Sequence, residues 1–133
     1  MSQLDDIDEI RQLIARYCHL VDSGEIEAWV ECFTDDGVLE VPGIRTEGRE
    51  ALLAMGAGIR ENAAANPSRH VVTNVLIDVD GDQASSQSYL IMVSASVPPV
   101  LRITGTYRDR IRRVDGRWRF AERVATFDGT PAG

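Results

Sequence analysis

From His70 onward the chain reads as almost nothing but strand, and the breaks between its strands are short. His70 to Val79 is β-branched and apolar, and Asp80-Gly81-Asp82 follows as a hairpin turn. Ala84 to about Ser96 is the next run, ended by Pro98-Pro99. Val100 to Val114 and Trp118 to about Phe127 complete the set, with Asp115-Gly116 as a second hairpin turn between them. Strands joined this closely can only run antiparallel, because a parallel return needs a long crossover. Everything before His70 must therefore pack on the face of that meander.

That first half is mostly helical. Leu4, Ile7, Ile10, Leu13, Ile14, Tyr17 and Val21 recur at helical spacing, and Ser23-Gly24 stops the helix. Ile26 to Phe33 predicts a short second helix, with Trp29 and Phe33 four apart on its inner face. Asp35-Asp36-Gly37 reads as a turn, and Val38 to Val41 as a short strand stopped by Pro42-Gly43. Gly48 to about Ala65 predicts a third helix, weakened by Gly56 and Gly58 and closed by Asn66-Pro67-Ser68. From Thr130 the chain reads as a frayed tail. Helices first and strands after predict an α+β fold. The expected form is a cone-shaped α+β barrel, in which three N-terminal helices pack inside a strongly curved antiparallel sheet. With 133 residues and no linker or repeat, one domain over 1–133 is expected.

Charge narrows the function classes. There are 21 acidic against 14 basic residues, and the net charge of -7 repels nucleic acid and anionic membranes. The start is acidic, without a signal peptide, and no apolar run reaches membrane-spanning length, so a cytoplasmic location is expected. Cys18 and Cys32 lack a CxxC partner and read as buried hydrophobes, so no metal site is expected. No phosphate loop or nucleophile elbow is present. Most arginines of the last third alternate with apolar residues, as on a solvated or subunit-facing sheet surface.

Against this background four polar residues stand out inside segments that otherwise read as packed: Tyr17, Asp22, His70 and Arg123. The only histidines are His19 and His70, and His19 reads as exposed. A carboxylate bonded to one imidazole nitrogen fixes the tautomer and leaves the other as a base, with an ordinary pKa of about 6.5. Asp22 and His70 make such a pair if the fold brings them together. Tyr17 is a candidate donor to a carbonyl or leaving hydroxyl, although an aromatic on an apolar stripe is also ordinary core. Arg123 alternates with the small Ala121 and Ala125, which leaves room for a ligand or for a plain surface arginine. Asn74 would share a strand face with His70 and Val72. Trp29, Phe33 and Tyr89 complete the candidate substrate contacts.

The order of several segments resembles the SnoaL-like group of the nuclear transport factor 2-like superfamily. They are Leu13-Ile14-Ala15-Arg16-Tyr17 with Asp22, Trp29 to Gly37, Arg69 to Asn74, Gly105 to Asp109, and Asp115 to Phe120 before Arg123. The likeness is greatest to scytalone dehydratase, bile-acid 7α-dehydratase and γ-hexachlorocyclohexane dehydrochlorinase. It implies that Asp22 and His70 are the catalytic aspartate and histidine, with Tyr17 and Arg123 in supporting roles. Bile-acid dehydratases carry a further acid on the middle sheet, and Tyr89-Leu90-Ile91-Met92-Val93 here has none. The resemblance therefore implies proton abstraction in general: a cofactor-free lyase of the dehydratase type acting on a hydrophobic, cyclic small molecule. An isomerase or polyketide cyclase with the same dyad stays open. So do a non-catalytic small-molecule-binding or dimerising module and the small subunit of a ring-hydroxylating dioxygenase. A homodimer or homotrimer is expected, through a convex sheet face bearing Leu101, Ile103, Tyr107 and Ile111 beside Trp118 and Phe120.

Overall fold

A computed structural model of the chain describes residues 2–129. The tail expected from Thr130 lies outside them. The first helix, α1 (Gln3–Ser23), starts on Ser2, whose hydroxyl accepts from the Asp5 N–H while the Asp5 carboxylate accepts from the Ser2 N–H. It stops at Gly24, which takes a left-handed φ of 74° and donates its N–H to the Leu20 and Val21 carbonyls. Next come α2 (Ile26–Val30), β1 (Phe33–Val41), β2 (Ile44–Glu47) and α3 (Arg49–Ala65). The meander is β3 (Ser68–Asp80), β4 (Gln83–Ser94), β5 (Leu101–Val114) and β6 (Arg117–Phe127). No helix among the described residues is long and apolar enough to cross a membrane.

The helices pack on one curved, open sheet of order β2-β1-β6-β5-β4-β3. Three details differ from the sequence reading. The sheet is mixed, because β1 runs parallel to β6. The expected helix end at Phe33 is instead the start of β1, and Asp35-Asp36-Gly37 is a bulge inside that strand rather than a turn. At the bulge the chain folds so tightly that a Cβ on Gly37 would lie 2.8 Å from the Phe33 Cβ. Finally, Pro42-Gly43 does not merely stop β1 but turns it into β2, a four-residue strand too short to show a period.

The sheet also faces the other way along β5 and β6. Tyr107, Ile111, Trp118 and Phe120, expected on a convex interface, are buried on the concave side against α1. A period of two identifies two faces but not which of them is inside. The convex side instead carries Arg108, Arg110 and Arg112, all exposed. Of the six residues of that expected face, Leu101 stays exposed and Ile103 half-buried.

Both glycines of α3 sit in a continuous helix, for different reasons. A Cβ on Gly56 would fall on the Ile26 Cγ2, so the missing side chain lets α2 and α3 approach. A Cβ on Gly58 would meet nothing within 4 Å. Opposite signs are expected: Gly56→Ala loses about 1–3 kcal/mol through overpacking, whereas Gly58→Ala gains about 1 kcal/mol of helix propensity. Urea unfolding of the two variants measures both.

Candidate active site

The last turn of α1 lies against the start of β3, where the carboxylate of Asp22 meets His70 twice. Its Oδ1 is 2.6 Å from the imidazole Nδ1, and its Oδ2 accepts the His70 backbone N–H at 3.0 Å. The backbone contact fixes the carboxylate relative to the strand, and the side-chain contact fixes the ring. Since a carboxylate only accepts, Nδ1 carries the proton and Nε2 is left as the basic nitrogen. Both side chains are largely buried, at 16% and 10% exposure.

Asp22 and His70 line a cavity of about 360 Å³ between α1, α3 and the concave sheet. Its walls are mainly Val21, Leu39, Met55, Ile59, Leu90, Met92 and Phe127. The polar groups among its lining are Tyr17, Tyr107, Asn62 and Ser68, besides the dyad. Burial pushes the Tyr17 hydroxyl up to about 12, so it presents a neutral O–H. Burial likewise holds Tyr107 well above the ordinary phenol range. A volume of this size, mostly apolar with a few converging polar groups, suits a small hydrophobic ligand. Among the described residues no cluster of three His, Cys, Asp or Glu side chains could hold a metal ion.

The other expected contacts lie elsewhere. Arg123 is fully buried and lies outside the cavity lining. Its guanidinium carbon is 3.6 Å from the Tyr107 ring centre, 4.3 Å from that of Tyr17 and 4.6 Å from that of Phe120. Its Nε is 3.0 Å from Asp109 Oδ1 but off the hydrogen-bonding axis. Direct contact of Arg123 with a ligand is therefore corrected: the two tyrosine rings stand against it. Trp29 and Phe33 are also sealed in the core, packed on Tyr17 with ring centres 5.9 and 6.1 Å away. They support the tyrosine rather than line the cavity.

Asn74 does not share the face of His70. It is the extra residue of a β3 bulge, with a left-handed φ of 56°, because three steps from Thr73 to Leu76 oppose only two from Tyr89 to Gln87. The bulge exposes Asn74 and keeps Val75 and Ile77 turned toward the core. Tyr89 is 56% exposed, on the outer face of β4.

Sequence reasoning missed Tyr107 as a cavity residue and Asp109 as the partner of Arg123. Asp109 accepts from the Ser86 hydroxyl at 2.7 Å, and Ser86, Asp109 and Arg123 sit directly opposite one another across β4, β5 and β6. Counting register back from the Asp115-Gly116 hairpin brings Asp109 within one residue of Arg123, so half of this row was available as a signal. The thiols are inert by the same burial. Cys18 and Cys32 are each pushed up to about 11, and neither is expected to react with an aromatic disulfide reagent at pH 8 until the protein is unfolded. A thiol count with and without denaturant checks this.

The model of the SnoaL-like domain family matches residues 2–124. No curated protein matches the chain. Among solved structures, an NTF2-like protein with a cystatin-like fold from Novosphingobium aromaticivorans is 30% identical. It matches over 96% of this chain and 85% of its own, with a TM-score of 0.86. A Mycobacterium tuberculosis protein of unknown function is 35% identical over 95% of this chain and 73% of its own, also with a TM-score of 0.86. A Catenulispora acidiphila protein in complex with S-DNPA is 28% identical over 95% of this chain and 96% of its own, with a TM-score of 0.84.

Proposed function

We propose, from the premise that this chain belongs to the SnoaL-like family, that it is a lyase of the dehydratase type working on a hydrophobic cyclic carbonyl compound. The superfamily includes polyketide cyclases and dehydratases. The observation that carries the reading is the 2.6 Å contact between Asp22 and His70 at the wall of an apolar cavity. The Catenulispora relative with S-DNPA bound supports a small molecule as the occupant.

In the proposed reaction Nε2 of His70 takes a proton from the carbon beside the carbonyl. The C–H electrons move onto the carbonyl oxygen as an enolate. Tyr17 and Tyr107, kept neutral by burial, supply hydrogen bonds to that oxygen. The imidazolium, stabilised by Asp22, then returns its proton to a β-hydroxyl, which leaves as water while the enolate electrons close the new C=C bond. Return of the proton to a different carbon gives isomerisation instead.

Proton abstraction is testable without the natural substrate. In deuterated buffer the protein is expected to exchange the α-hydrogens of β-tetralone faster than buffer alone, and β-naphthol is expected to compete. Proton NMR follows the loss of signal. Exchange at the buffer rate overturns the proposal.

A further inference from the structure

We propose that Arg123 is a positioning residue: paired with Asp109, which Ser86 in turn holds, it fixes and polarises Tyr17 and Tyr107 from behind the cavity wall. The inference deepens the proton-abstraction reading, on which the use of the two hydroxyls rests.

The geometry of the arginine carries the argument. Its guanidinium is in contact distance of three aromatic rings, two of which belong to cavity residues. None of its three nitrogens has an aligned hydrogen bond. Its charge is met by one carboxylate, Asp109, on the adjacent strand, and Asp109 is held by Ser86 on the strand beyond. A group with five donors and no aligned acceptor is poorly placed as a stabilising element. A buried ion pair is often matched or exceeded in stability by apolar residues of the same volume. Core packing therefore does not account for the pair.

The charge does have a consequence for the tyrosines. It opposes the effect of burial on Tyr17 and on Tyr107. A cation at this distance makes a phenol a stronger donor, more so where water is excluded. It also favours negative charge developing on an oxygen that accepts from that phenol. Because the rings intervene, the guanidinium does this without touching the ligand. Ser86, Asp109 and Arg123 lie in one cross-strand row, so three strands fix the position of the charge.

The test reads the acidity of the phenol directly. Tyr17 is exchanged for a ring-fluorinated tyrosine, whose more acidic hydroxyl can be titrated by ultraviolet absorbance in folded protein. Removing both charges with Arg123→Met and Asp109→Asn together is expected to lower that acidity by about tenfold, the small end of the effect of a nearby charge. Arg123→Met alone is expected to lower it at least as much, because an Asp109 left without its cation is either neutral, as the asparagine is, or an anion that opposes ionisation of the phenol further. Arg123→Lys keeps the cation and is expected to stay near the parent value. Acidity unchanged in the doubly substituted protein overturns the proposal, and so does a shift in the lysine variant as large as that in the methionine variant. No substrate enters the titration, so failure here is distinct from failure of the β-tetralone assay, which reads His70.

Discussion

Replacing His70 by alanine is expected to return β-tetralone exchange to the buffer rate, a loss of about a hundredfold to ten-thousandfold, with the fold retained. The ring lines the cavity and is 16% exposed, so its removal opens little buried space. Asp22→Asn is expected to lose nearly as much by a different route. The asparagine amide would put a donor where Nδ1–H now donates at 2.6 Å, favouring the tautomer protonated on Nε2. The imidazole would then be present but unable to accept the substrate proton. Its Oδ1 could still accept the His70 backbone N–H, so unfolding should change little. Exchange rates and circular dichroism on both variants separate chemistry from folding. Wild-type exchange in the alanine variant would sink the assignment of His70.

Asp109→Asn is expected to cause the largest loss of stability, about 3–5 kcal/mol, because it strands a fully buried guanidinium with no other carboxylate in reach among the described residues. Thermal melts should show a fall of roughly 10 °C or more. Arg123→Met should be milder at acid pH and worse at neutral pH. Burial already raises the Asp109 pKa, and the arginine is the main influence holding it down. Without the arginine the folded-state pKa rises further above the ordinary value of 3.8. The folded state then binds more protons than the unfolded one as pH climbs from that value, so stability falls with rising pH. Melting temperature against pH reads this slope, and the added Asp109→Asn should abolish it. A slope that survives in the double variant would place its origin elsewhere.

The order of elements was legible because it rests on local signals: the apolar spacing of α1, Gly24 after it, and the paired turns at Asp80-Gly81-Asp82 and Asp115-Gly116. The juxtaposition of Asp22 with His70 was legible only through the resemblance, since 48 residues separate them. What escaped depends on register. The glycine of Asp35-Asp36-Gly37 signals a tight backbone, but a bulge satisfies that as well as a turn does. One extra residue at Asn74 moved a candidate from the inner face to the outer one. Arg123 was read as free to reach a ligand because the small Ala121 and Ala125 flank it; that its guanidinium is instead sealed in the core depends on Asp109, which lies on another strand.

The contact between Asp22 and the His70 backbone has one more consequence. β3 is an outer strand of the sheet, with β4 on one side only. An uncovered strand offers its unpaired N–H groups to any passing chain, the usual start of edge-to-edge aggregation. The carboxylate occupies one such N–H at the head of β3. The atoms that orient the imidazole thus also help keep neighbouring molecules from adding a strand there, so protection of the edge and the proposed proton transfer draw on the same side chain.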